Sequence, residues 1–135
     1  MSEIRRVTSP EAPEPPPETW SNCLVVGNVV YVAGLTARSP NGTALEGADD
    51  YSQANAIFAK IKALVEAAGG RMSDVAKINV YVTDIRRREQ VWKARREFFT
   101  GNFPTSTLVE VSKLADPAIT VEIEAVAHLG ASGSN

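Results

Sequence analysis

The residues this chain has only once set the first limits. One cysteine, Cys23, excludes an intrachain disulfide and makes the cytoplasm the expected compartment. No histidine lies near it in sequence, so Cys23 reads as a small buried hydrophobe rather than a reactive thiol. The one histidine, His128, stands at a strand end beside a loose tail and reads as a surface residue rather than a general base. No two-histidine or His/Lys constellation for RNA cleavage is visible. Apolar runs are short and broken by glycine or polar residues, so neither a signal peptide nor a membrane span is expected. A net charge of −2 gives no general attraction to nucleic acid or acidic membranes. There is no internal repeat, and the sequence implies no metal and no cofactor.

What is present is ordinary core material and punctuation. With 135 residues and 44% hydrophobic content, the chain makes one domain with a modest core. Residues 1–19 hold five of the eight prolines, Pro10, Pro13, Pro15, Pro16 and Pro17, and read as an extended arm. The domain then occupies 20–129, and the small polar residues of 130–135 form a flexible tail.

Two periodicities alternate inside the domain. Leu24–Val26 and Val29–Ala33 are β-rich runs around Gly27-Asn28, a pair suited to a primed hairpin turn. Asp50 as an N-cap with Gln53 three residues on opens a helix. Its apolar positions are Ala54, Ile57, Phe58, Ile61, Leu64, Val65 and Ala68, and Gly69-Gly70 ends it. Val75–Val82 alternates as a strand, and a second helix is expected over 85–99 with Ile85, Val91, Ala94 and Phe98 inward. Near the C-terminus, Thr120–His128 places Val121, Ile123, Ala125 and Ala127 on one face and Glu122, Glu124, Val126 and His128 on the other. Carboxylates two apart on a strand lie roughly 6.5 Å from each other, so that face is either wet or holds a carboxylate for use. The order strand, strand, helix, strand, helix, strand, strand predicts an α+β fold, a mixed sheet with two helices on one face. The opposite face needs cover that a chain of this length cannot supply, which points to oligomerisation.

The run Phe103-Pro104 into Val109-Glu110-Val111, followed by Val121-Glu122-Ile123-Glu124-Ala125-Val126-Ala127, resembles the RidA (YjgF) family of reactive-intermediate deaminases, also labelled L-PSP endoribonucleases or translation inhibitors. The resemblance extends through Leu24–Gly34, Val65–Gly70 and Val80–Asp84, in the family's order. It implies a homotrimer with a central barrel and small-molecule sites in the three intersubunit clefts. It implies Glu122 as the catalytic glutamate that positions water, and Gly34 as the backbone wall of the pocket. The family's substrate-binding arginine does not carry over: Ser106 stands in its place. One neutral hydrogen bond instead of a bidentate cation weakens carboxylate recognition by about 2 to 3 kcal/mol. Trp20 stands for a tyrosine, Ala33 for a serine, Leu108 for a cysteine and Trp92 for an asparagine. These exchanges predict a more aromatic pocket for a larger, planar ligand. Trp92 reads equally as a packing residue. Arg38, or Lys113, borders the cleft and could supply a cation from another wall; Arg38 also reads as an exposed turn residue.

The second helix carries Arg86, Arg87, Arg88, Lys93, Arg95 and Arg96, six of the fourteen basic residues. Glu89 and Glu97 are spaced to pair with Lys93, and no aromatic ladder accompanies the charges, so this is a solvated face and nucleic acid is not an expected partner. Three functions follow, in order: a divergent hydrolytic deaminase of enamine or imine intermediates, a non-catalytic small-molecule-binding trimer, and an RNA-directed activity.

Overall fold

The structure, a computed structural model, describes residues 3–42 and 44–133. Six strands form one mixed sheet: β1 (Ile4–Arg6), β2 (Cys23–Val26), β3 (Val29–Leu35), β4 (Val75–Val82), β5 (Thr105–Glu110) and β6 (Val121–His128). Their order across the sheet is β1-β2-β3-β6-β4-β5. Only β4 and β5 run parallel, joined through α2 (Arg88–Arg95), while the other neighbours are antiparallel. The helix α1 (Asp50–Ala67) packs on β3, β6 and α2, so both helices lie on one face, as the periodicity predicts.

The core follows from the alternation. Val121, Ile123, Ala125 and Ala127 of β6 and Ile78, Val80 and Val82 of β4 are buried against Ile57, Phe58, Ile61 and Leu64 of α1. Cys23 and Val91 sit in this core too, and burial pushes the Cys23 thiol up to about 11. Phe58 packs on Phe98 at 5.6 Å and edge-on against Phe99 at 5.8 Å, tying the helices together. The helix α1 ends in a Schellman motif: Gly69, at φ 103°, donates to Glu66 O and Gly70 to Val65 O.

Several local expectations shift. The N-cap of α1 is Asp49, whose side chain accepts from Ser52 N, whereas Asp50 is buried and accepts from Thr120 Oγ1 and Arg87 Nε. The second helix begins with a 3₁₀ turn, Ile85–Arg87, because Asp84 caps Arg86 N. It also tightens after Arg95, where both Phe98 N and Phe99 N donate to Arg95 O. That tightening turns Phe99 rather than Phe98 fully inward. Lys93 pairs with neither glutamate. Its ammonium lies 4.4 Å from the Tyr51 ring centroid, Glu89 pairs with Arg96, and Glu97 accepts from Tyr51 and Asn55. Arg86 and Arg87 are tied to Asp84, and Arg87 to Asp50 as well, so much of the basic face is neutralised locally.

Described residues near both ends of the chain are tied to the domain. Arg5 of β1 donates to Ala68 O at the end of α1, Val7 and Ala12 enter the core, and Arg6 pairs with Glu14. At the other end, the buried Asp74 accepts from Ser132 N and Oγ and from Arg71 N. Residues 1, 2, 134 and 135, which belong to the expected arm and tail, lie outside the described residues. Burial opposes ionisation of Asp74, but the bonds from Ser132 and Arg71 outweigh it and hold the carboxyl below its usual value. Asp74→Ala is expected to cost about 1 to 3 kcal/mol at neutral pH, read as a lower Tm. A depressed acid contributes above its unfolded pKa and loses that contribution as pH falls through the folded one. The difference between wild type and variant should therefore shrink in acid.

Candidate functional site

A cleft of about 650 Å³ opens at the end of the sheet where β3 leaves and β6 enters. Five of the residues singled out from the sequence line it: Trp20, Ala33, Gly34, Arg38 and Glu122. The pairing of β3 with β6 shows why they meet. Val32 faces Ala125 and Leu35 faces Ile123, so β3 carries one more residue than β6 between those pairs, and the extra residue makes a bulge at Ala33-Gly34. Ala33 N turns away to donate to Asn22 O at 2.8 Å. The Glu122 carboxylate fills the space beside Gly34: a Cβ there would overlap Oε2 and lie 3.0 Å from Cδ. Gly34 is therefore glycine because a carboxylate occupies the side-chain position.

The two acids of β6 meet different surroundings. Glu124 accepts the Tyr81 hydroxyl, and that bond, with burial, raises the tyrosine pKa. Glu122 accepts no hydrogen bond from the described residues. Burial pushes its carboxyl above the usual glutamate value, and the charge of Glu124 adds to the push. The structure thus holds one satisfied carboxylate and one poised to take a proton. Glu110, the third acid, is exposed and accepts from Ile85 N at 3.1 Å, a positioning role for the start of the second helical segment.

Three cleft features had no forecast. The proline-rich segment folds back as a wall through Pro13, Pro15 and Pro16, held by Asn22, whose Nδ2 donates to Pro13 O at 2.8 Å. Asn22 Oδ1 in turn accepts from Trp20 Nε1 at 3.3 Å, which orients an indole that is otherwise 54% exposed. Lys60 of α1 is buried, and its ammonium donates to Thr36 O at 2.7 Å and to Arg38 O. Burial pushes it down to about 8, Glu46 acts in the opposite direction, and the two carbonyls hold the backbone on which Arg38 sits. A signal for Lys60 existed. Asp50, Gln53, Ile57, Lys60 and Leu64 follow a 3-4 spacing on α1, and polar residues on an apolar stripe mark a partner on the facing side.

Ser106, Leu108 and Trp92 lie elsewhere in the chain. Ser106 and Leu108 are on β5, the sheet edge beyond β4 and β6 from the cleft, and pair with Ile78 and Val80. Ser106 Oγ accepts from Arg95 Nη2 at 3.0 Å. Trp92 and Arg95 of α2 line a second cleft of about 330 Å³ with Arg96 and Phe103. Within one chain the eight candidate residues therefore separate: five, Glu122 among them, line the first cleft, Trp92 and Ser106 lie at Arg95, and Leu108 packs on the core from β5.

No helix among the described residues is long and apolar enough to cross a membrane, and none of their His, Cys, Asp and Glu side chains cluster as a metal site. Residues 11–129 match the family model described as Endoribonuclease L-PSP. A 2-iminobutanoate/2-iminopropanoate deaminase of Dermatophagoides farinae is 32% identical, with 93% of this chain and 97% of that protein covered. A crystal structure of a protein of unknown function from Pseudomonas aeruginosa is 40% identical, covers both chains completely and superposes with a TM-score of 0.85. That of RidA from the Antarctic bacterium Psychrobacter sp. PAMC 21119 is 30% identical over 93% of this chain and 99% of the other, with a TM-score of 0.84. The chain belongs to the endoribonuclease L-PSP family, the family of the RidA proteins.

Proposed function

We propose that this protein hydrolyses reactive imine or enamine intermediates to the carbonyl compound and ammonia, acting as a homotrimer whose clefts are completed between subunits. The observation that carries the reading is the half-buried Glu122 carboxylate beside Gly34, to which none of the described residues donates a hydrogen bond, inside a cleft large enough for a small planar ligand. The deaminase name of a 32% identical relative supports the same reaction class.

The chemistry asks little of the protein. Water adds to the carbon of a C=N bond, one O–H proton passes to nitrogen, and the resulting carbinolamine expels ammonia as the C=O bond forms. Glu122 accepts a proton from the attacking water and returns it to the departing nitrogen. A carboxyl with a raised pKa keeps a proton more readily than an ordinary glutamate, which suits a group that must both take and return one. The Trp20 indole and the Pro13–Pro16 wall present flat apolar surface, and Arg38 adds positive charge to the rim. These features favour an imine with a planar or extended side chain over the smallest substrates.

The separation of the candidate residues within one chain supports assembly. Tyr31 is 50% exposed on the open sheet face and Val109 39% exposed on the edge strand, apolar surface that a neighbouring copy would cover. Freshly generated 2-iminobutanoate and an imine from an aromatic amino acid, mixed with the protein, should release ammonia faster than the buffer blank. The species doing so should elute at three chain masses. Release at the blank rate with both imines would overturn the deaminase reading and leave a binding protein.

A further inference from the structure

We infer that Arg95, with Ser106, forms the anion site of this protein and holds the carboxylate of a planar 2-oxo or 2-imino acid. The inference deepens the deaminase reading and rests on it for the ligand class, though the binding itself does not depend on turnover.

Arg95 differs from the other arginines of its helix. Arg86 and Arg87 are paired with Asp84 and Arg87 also with Asp50, Arg96 is paired with Glu89, and Arg88 lies 5.7 Å from the Trp92 ring centroid. Among the described residues no carboxylate pairs with Arg95. Its Nε is the one buried side-chain nitrogen or oxygen there that lacks a hydrogen-bond partner. Its one side-chain hydrogen bond among the described residues is to a neutral group, the Ser106 hydroxyl at 3.0 Å. Burial and the neighbouring Arg96 both disfavour the charge on Arg95. A guanidinium kept half-buried, beside another cation and without an acid, is an arrangement a chain retains at a cost unless an anion arrives from outside.

The surroundings define that anion. Trp92 and Phe103 line the cleft, and Phe103 is fixed from behind by Phe99 at 6.4 Å between centroids. Flat aromatic surfaces lining the same cleft as a forked cation suit a flat anion, and a carboxylate conjugated to C=O or C=N is one. Ser106 accepts from Arg95 and keeps its own hydroxyl proton, which it can donate to the second carboxylate oxygen. The cation that Ser106 itself does not supply is thus presented on it from α2, on the helix-facing side of the edge strand. In the proposed trimer this edge is the surface left to complete the Glu122 cleft of another copy.

The test is calorimetric titration of 2-oxobutanoate, a stable planar carboxylate, into the assembled wild type, Arg95→Met, Ser106→Ala and Arg38→Ala. Saturable binding by wild type, weakened at least tenfold in Arg95→Met and about threefold in Ser106→Ala, with a smaller loss in Arg38→Ala than in Arg95→Met, is the expected result. Arg95→Lys should recover only part of the loss, because a point charge replaces a fork. Unchanged affinity in Arg95→Met, loss centred on Arg38→Ala, or no saturable binding to wild type would each overturn the anion site. The two readings fail separately. Arg95-dependent binding without ammonia release removes the deaminase and keeps the site, whereas ammonia release that is indifferent to Arg95→Met removes the site and keeps the deaminase.

Discussion

Glu122→Gln should lower ammonia release about 100-fold or more while making the protein more stable. The amide keeps the shape of the carboxyl beside Gly34 but can neither take a proton from water nor return it to nitrogen, and a positioned acid-base group contributes about 10²- to 10⁴-fold. The stability gain has a separate cause. Glu122 is desolvated, faces the charge of Glu124, and has no hydrogen-bond partner among the described residues, so its charged form is unfavourable in the fold. A neutral isostere removes that burden, worth about 0.5 to 1 kcal/mol, or roughly 2 to 4 °C in Tm for a domain of this size. The pH dependence carries the sign. With its pKa raised on folding, the native state binds more protons than the unfolded chain between the ordinary glutamate value and the raised one. Wild-type stability therefore falls as pH rises through that window, and Glu122→Gln should lack the slope. The acid limb of the activity profile should lie above the ordinary glutamate range for the same reason. Activity retained in Glu122→Gln would remove the residue from the mechanism.

Gly34→Ala should approach the same loss of activity by a steric route, and with the opposite effect on stability. Gly34 is not among the positive-φ positions, so alanine meets no backbone penalty there. What it meets is the Glu122 side chain, with Cδ at 3.0 Å and Cγ at 3.2 Å from the new Cβ. The carboxylate must leave its seat in the bulge, and a displacement of about 1 Å at a reacting group can cost about 10²-fold. Overpacking of this kind costs about 1 to 3 kcal/mol. The double variant Gly34→Ala/Glu122→Ala separates this cause from a general disturbance of β3. Relief of the Gly34→Ala stability cost in the Glu122→Ala background is expected, and strict additivity in that cycle would refute the steric coupling.

Much of the architecture was legible because alternation is a local signal. The face assignment of β6, the core stripe of α1 and its stop at Gly69-Gly70 depend on residues within one element, and the structure has them as read. The errors fall where neighbours in space compete. Asp49 caps α1 because Asp50 is drawn into bonds with Thr120 and Arg87, which come from distant parts of the chain. Lys93 leaves Glu89 and Glu97 because Arg96 and Tyr51 reach those acids instead. Spacing along a helix states which pairs can form, and tertiary packing selects among them.

The sequence by itself determined the family and the α+β order of elements from β2 onward, while β1 fell inside the expected arm, and the family resemblance brought Glu122 and Gly34 forward. Those properties reside in patterns of two to eight consecutive residues and in motif order, which survive without coordinates. Only the tertiary structure decided that a bulge seats the Glu122 carboxylate against Gly34, that the proline-rich segment walls the same cleft, and that Arg95 lies against Ser106 without an acid of its own. Each of those depends on burial and on contacts between residues far apart in the chain, and the free energy of a charge is set by what surrounds it.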